Sequence, residues 1–253
     1  MTETEVNSNT EDADFTNSNR HASIKGRIKR FIPKRLILWL TYSRAIVWLR
    51  SYTKGWLLRN QDHNTVYGKD YFEMVDSTTG QSAQIMAGSL VHHLHPKNVV
   101  DLGCGTGNLL NQLRELGVKS KGAEYADAAM AYCQERGLDV ISLDFTKAED
   151  LARPLGEFDL AVSTEVAIQL APEAATNHIK FLCEHADTVL FSSPPCARDR
   201  RPKSPQTAEH WQEEFANQGF RYDADLSDQL KTEWEEKGTA PWFYRRPMIF
   251  RRS

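Results

Sequence analysis

The sequence predicts an α/β chain built on a doubly wound, mostly parallel sheet. Five short apolar runs recur between Asn98 and Ser193, stretches with helical spacing separate them, and the first run leads straight into a glycine-rich turn, "NVVDLGCGTGNLL". Parallel neighbours need a crossover of a dozen or more residues, and helical stretches of that length supply it. The remaining elements follow along the chain.

Charge divides the N-terminal quarter. Residues 1–14 carry five acids (Glu3, Glu5, Glu11, Asp12, Asp14) and no base, whereas residues 15–61 carry eleven Lys or Arg and no acid. Of the 31 bases and 34 acids in the chain, residues 62–253 therefore hold 20 and 29, so the net charge of -3 conceals a basic arm. Residues 1–22 are polar without apolar periodicity and read as a disordered tail. Residues 23–64 read as a basic helical arm, with Pro33 placed to open a helix running toward Leu58. Lys34, Arg35, Arg44 and Arg50 project in several directions at helical spacing, so that helix is only approximately amphipathic. Its most apolar part, "LILWLTYSRAIVWL", falls short of the roughly 20 residues that cross a bilayer. The four cysteines show no CxxC and no paired spacing, and the first residues are acidic, which predicts a cytoplasmic protein without a secretory signal.

Residues 65–253 read as the α/β domain. Ile85, Met86, Leu90 and Val91 in "TTGQSAQIMAGSLVHHLHP" are spaced for a helix that stops before Pro96. After "NVVDL" the expected strands are "KSKGAEY", "DVISLD", "FDLAVS" and "DTVLFSS". Helices are expected at "GNLLNQLRELG", "AAMAYCQERG" and "PEAATNHIKFLCEHA", with a short turn in "KAEDLARPLG". Then come a helix at "QTAEHWQEEFANQGF", a strand near "RYDAD", a helix at "SDQLKTEWEEKG" and a terminal run "WFYRRPMIFRR". The last two strands complete a sheet of seven, the final one antiparallel.

In an open parallel sheet, ligands lie beyond the carboxyl ends of the strands, where strand order reverses. Gly103, Gly105 and Gly107 permit positive φ and close backbone approach at such a place. Their GxGxG spacing differs from the GxGxxG of dinucleotide folds, and Asp101 would repel a diphosphate while favouring a cationic amine or sulfonium. The stretch resembles motif I of the class I S-adenosylmethionine-dependent methyltransferases, a family with a Rossmann-like sheet. That resemblance implies S-adenosylmethionine as cofactor, bound over Asp101, Gly103, Gly105 and Gly107. It further implies that Glu124 in "GAEYA" holds the ribose hydroxyls. In "SLDFT", Asp144 would accept from the adenine amine and the Phe145 N–H would meet a ring nitrogen. Ser163 and Thr164 in "FDLAVSTEVAIQL" would lie beside the methionine portion.

The acceptor side departs from the family. Many relatives that methylate small molecules carry Glu-His after the fourth strand, where this chain has Ile168 and Gln169, and glutamine cannot take a proton. Glu165 and His210 remain the candidate catalytic groups. His92, His93 and His95 end a helix without a nearby Cys or carboxylate, so no metal site is expected. "SSPPC" follows the fifth strand and reads as a rigid loop bordering the acceptor pocket, and "ARDRRPK" after it suits an anionic acceptor. The expected activity is methyl transfer to an oxygen or nitrogen of a small-molecule, glycan or lipid-linked acceptor. The basic arm with Trp39, Trp48 and Trp56 suits an anionic membrane surface through residues 24–59. RNA methylation through the basic arm fits less well, because the rest of the chain is acidic, and a third reading is a membrane-associated protein that binds the cofactor without chemistry.

Overall fold

The computed structural model describes residues 68–193 and 207–253. The tail, the arm with its helix from Pro33, residues 194–196 of "SSPPC" and all of "ARDRRPK" lie outside the described residues.

Eight helices and seven strands are described, besides one turn of 3-10 helix. In chain order they are α1 (Lys69–Leu94), β1 (Asn98–Leu102), α2 (Asn108–Glu115), β2 (Lys119–Glu124), α3 (Asp127–Glu135), β3 (Val140–Ser142), α4 (Ala148–Leu151) and β4 (Leu160–Thr164). The 3-10 turn (Ala167–Gln169), α5 (Pro172–His185), β5 (Thr188–Ser192), α6 (Ala208–Ala216), β6 (Phe220–Asp223), α7 (Ala224–Glu236), α8 (Pro241–Tyr244) and β7 (Met248–Arg252) follow.

The strands form one sheet in the order β3-β2-β1-β4-β5-β7-β6. β1 pairs in parallel with β2 on one side and β4 on the other, so strand order reverses beside β1. Alternate residues of the central strands feed two cores. On one face Val99, Leu160, Val162, Leu190 and Ile249 meet Met86, Leu90, Leu113, Leu230 and Trp234 from α1, α2 and α7. On the other, Val100, Leu102, Ala161, Val189 and Phe191 meet Ile179, Leu182, Trp211 and Phe215 from α5 and α6. Burial on both faces is why β1, β4 and β5 read as apolar runs rather than as alternating patterns.

β7 pairs antiparallel with both β5 and β6, lying between them. Ion pairs fasten it on both sides: Arg251 Nε donates to Asp223 Oδ2 at 2.7 Å, and Arg252 pairs with Asp187. The run "WFYRRPMIFRR" is strand only from Met248 onward. Pro241 opens the one-turn helix α8, and Pro247, lacking an N–H, separates helix from strand.

α1 begins at Lys69, nine residues before the expected helical pattern starts at Thr78. Thr78, Thr79 and Gly80 weaken helix propensity there, yet Thr78 Oγ1 donates back to the Met74 carbonyl at 2.7 Å, and Phe72 is buried against Ala126 and Ala129. Tertiary packing extends the helix where local propensity does not. Among the described residues, no helix is long and apolar enough to cross a membrane.

Candidate cofactor and acceptor site

The turn between β1 and α2 is built by glycine conformation. Gly103, Gly105 and Gly107 have φ of 85°, 55° and 76°, a region in which a side chain is strained. Two of them also lack room. A Cβ on Gly103 would stand 2.3 Å from Val166 Cγ2, and one on Gly107 2.4 Å from Leu138 Cδ1. Gly105 differs, because a Cβ there would meet nothing within 4 Å. Gly105 therefore faces open space at the carboxyl edge of the sheet.

The chain's own groups hold this turn from beneath. The N–H groups of Gly103 and Cys104 both donate to the Ala123 carbonyl, at 2.8 and 3.2 Å. Glu124, 8% exposed, accepts from Gly105 N through Oε2 at 3.0 Å, and from Tyr125 N and Ala126 N through Oε1 at 2.8 and 3.0 Å. A carboxylate offers about four acceptor positions, so one remains on Glu124 for a ligand hydroxyl. Holding two hydroxyls requires the Gly105 N–H to turn to another acceptor.

Asp101 lies beneath the same turn, 4% exposed, and its carboxyl is pushed up to about 7 by burial and then by the charge of Glu124. Two buried carboxyl groups with no ion pair among the described residues make this place attractive to positive charge. Cys133 Sγ donates to the Gly105 carbonyl at 3.3 Å. The Cys104 thiol is pushed well up by its hydrogen bond with Cys133 and by burial, which keeps it protonated.

The remaining expected residues separate into two groups. Asp144 follows β3, where Oδ1 accepts from Thr146 N at 2.9 Å and from Thr146 Oγ1 at 2.7 Å, while Oδ2 faces Lys147. Phe145 buries its ring edge-on to His178, centroids 4.3 Å apart. Ser163 is wholly buried within β4, its hydroxyl 2.8 Å from His178 Nε2. That side chain faces α5 and not the glycine turn, whereas Thr164 ends β4 half-buried.

Glu165 is a non-glycine residue at φ 65°, a conformation that costs about 1–2 kcal/mol. Its N–H donates to the Ser192 carbonyl at 3.1 Å, its carbonyl accepts from Gln169 Nε2 at 2.8 Å, and its Oε1 accepts from Ser192 Oγ at 3.3 Å. Gln169 is thus spent on fixing Glu165. At the same edge Arg246, just ahead of β7, donates from Nη1 to the Ser193 carbonyl at 3.4 Å, and the buried Ser193 hydroxyl has no partner among the described residues. His210 belongs to the first turn of α6, its N–H accepted by the capping Thr207 hydroxyl at 3.3 Å and its ring against Trp211. The histidines at the end of α1 have structural places: His93 Nε2 lies 2.8 Å from Glu233 Oε2, and His95 takes the left-handed cap at φ 48°.

Sequence reasoning missed a further group. Arg136, at the end of α3, donates from Nη1 to the Thr106 carbonyl at 2.5 Å and from Nη2 to both Asp76 carboxylate oxygens at 2.7 and 2.9 Å. Asn108, the first residue of α2, donates to the Asp76 carbonyl at 3.2 Å and to Thr79 Oγ1 at 2.9 Å. Sixty residues separate Asp76 from Arg136, and no short motif links positions so far apart.

Comparison with known proteins places this architecture. The family model described as methionine biosynthesis protein MetW matches residues 89–179. No curated protein sequence matches the chain. Among solved structures, magnesium protoporphyrin IX methyltransferase from Synechocystis PCC 6803 with bound SAH is similar at 18% identity, covering 87% of this chain and 100% of that one, with a TM-score of 0.52. A second structure of that enzyme holds SAM. A TehB-like SAM-dependent methyltransferase from Corynebacterium glutamicum is 14% identical over 76% of this chain and 98% of its own, with a TM-score of 0.53. One from Archaeoglobus fulgidus is 16% identical over 72% and 100%, with a TM-score of 0.51.

Proposed function

Because the chain has the fold of the class I S-adenosylmethionine-dependent methyltransferases, we propose that it transfers a methyl group from S-adenosylmethionine to an oxygen or nitrogen of a small-molecule, glycan or lipid-linked acceptor. The observation that carries the reading is the turn at Gly105, open above and held below by Glu124, with the buried Asp101 carboxyl next to it.

The residues present fit the cofactor. Gly105 allows a ligand to lie against its peptide units, Asp101 and Glu124 favour a cation, and Glu124 keeps one acceptor position for a ribose hydroxyl. Asp144 and the Phe145 N–H are assigned to adenine, and Thr164 to the methionine portion. Ser163 supports that wall through His178 instead of by direct contact. When bound, the cofactor supplies a methyl group already activated by a positively charged sulfur. The chain's task is then to orient the acceptor and exclude water, and proximity supplies most of the rate.

Glu165 is the group assigned to the acceptor, either orienting its hydroxyl or amine or taking its proton. Three hydrogen bonds hold it in a strained conformation at the strand ends, and strain of this kind clusters at functional sites. His210 borders the same edge and is the second candidate. One neighbour is named for a small-molecule acceptor, magnesium protoporphyrin IX, and small-molecule chemistry is preferred here to nucleic acid. Residues 24–59 are assigned to an anionic membrane surface, which would bring a lipid-linked acceptor within reach.

The test is calorimetry with S-adenosylmethionine, followed by transfer of its labelled methyl group into lipid, glycan, RNA and small-metabolite fractions. Binding is expected to be abolished by Gly105→Arg and weakened at least tenfold by Glu124→Ala. Unchanged affinity in both variants would end the cofactor reading, and label found only in RNA would end the acceptor reading.

A further inference from the structure

The glycine turn needs more than glycines. The Cys104 carbonyl accepts from Gly107 N at 3.0 Å and the Gly107 carbonyl from Asn111 N of α2 at 2.9 Å, while Thr106 between Gly105 and Gly107 is 2% exposed. Among the described residues, the donor to its carbonyl is Arg136, which reaches it at 2.5 Å from the end of α3. The same guanidinium donates from Nη2 to both carboxylate oxygens of Asp76 in α1, charge-assisted bonds that orient it. Arg136 and Asp76 are 26% and 23% exposed, so solvent competes only partly for either bond. α1, α3 and the turn meet at this one side chain.

We propose that Arg136 is a positioning residue for the cofactor: its bond to the Thr106 carbonyl holds the glycine turn in the conformation that receives S-adenosylmethionine, and Asp76 orients the guanidinium for that bond. The role rests on the cofactor reading given above. It is distinct from a tie that merely stabilises the domain, because the two bonds of the guanidinium can be broken separately. Arg136→Met loses both. Asp76→Asn keeps the Thr106 bond, and Arg136→Lys returns one donor. The exchange Asp76→Arg with Arg136→Asp restores the ion pair between α1 and α3 but leaves the Thr106 carbonyl without its donor.

Each variant is measured for S-adenosylmethionine affinity by calorimetry and for melting temperature. A hydrogen bond to a charged group contributes about 1.5–3 kcal/mol, or tenfold to a hundredfold in affinity. Arg136→Met is expected to weaken binding at least tenfold, Arg136→Lys to recover part of it, and Asp76→Asn to weaken it less than threefold. The exchanged pair is expected to regain melting temperature but to bind as poorly as Arg136→Met. Recovery of binding in the exchanged pair, or wild-type affinity in Arg136→Met, overturns the role. If Arg136→Met does not fold, the comparison of Arg136→Lys with the exchanged pair decides in the same way. Failure of the wild-type chain itself to bind overturns the cofactor reading, and this role with it.

Discussion

Asp101 titrates in a place that the folded chain alone does not favour. Its carboxyl is raised from 3.8 to about 7 by burial and then by Glu124, so between those values the folded state holds a proton that the unfolded state has released. The stability this contributes is fully present below 3.8 and is lost as pH rises through 7. Asp101→Asn is therefore expected to raise the melting temperature at pH 8, by about 5 °C for a stabilisation of about 2 kcal/mol, and much less at pH 5. The same variant is expected to bind S-adenosylmethionine at least tenfold more weakly. A cationic ligand favours the charged carboxylate, so the affinity of the wild type should rise from pH 6 to pH 8. A flat profile would show that Asp101 does not sense the ligand's charge. His178 shows the opposite sign. Burial holds it down at about 3 against an ordinary 6.5, so the stability linked to its neutral form is lost as pH falls below 6.5. A circular-dichroism titration in which the wild type loses stability over pH 6.5 to 4, and His178→Gln loses less, checks this.

Between elements, polar contacts pair segments that the sequence keeps far apart. Glu233 of α7 accepts from Ser89 Oγ of α1 at 2.6 Å and from Lys237 Nζ at 2.6 Å, with His93 2.8 Å away. Burial alone would raise its carboxyl, but Lys237, Ser89 and His93 outweigh that and bring it down to about 2. This contribution is whole above 4.5 and disappears as pH falls toward 2. Glu233→Gln is expected to lower the melting temperature at pH 7 and to make no difference at pH 2, and equal losses at both would refute it. Such pairings also show where sequence reading stops. Strand β1 and its glycine turn were legible because the apolar run, the glycines and Asp101 are contiguous. Glu124 was legible because it ends the next strand. Arg136, His178 and Gln169 were not, since a charge on a helix or a histidine among apolar residues carries no mark of its distant partner. Ser163 was legible as a strand residue, but its side-chain direction depends on strand phase and on His178 fifteen residues later.

For the whole molecule, charge asymmetry is the feature that the described domain does not account for. If the arm acts as proposed, deleting residues 1–60 should abolish binding to vesicles containing anionic lipid, and raising salt should weaken binding of the full chain. Cofactor affinity should be unchanged by the deletion, and vesicle binding retained without the arm would move the contact to the domain. The order β5-β7-β6 has a bearing on synthesis. Until residues 248–252 have been made, β5 displays an unpaired edge with Val189, Leu190 and Phe191 beside it, and β6 has no strand to join. A nascent chain in that condition is a template for pairing with its neighbours on other ribosomes. A chain stopped at residue 240 should accordingly go to inclusion bodies even though every residue assigned to the cofactor is present in it.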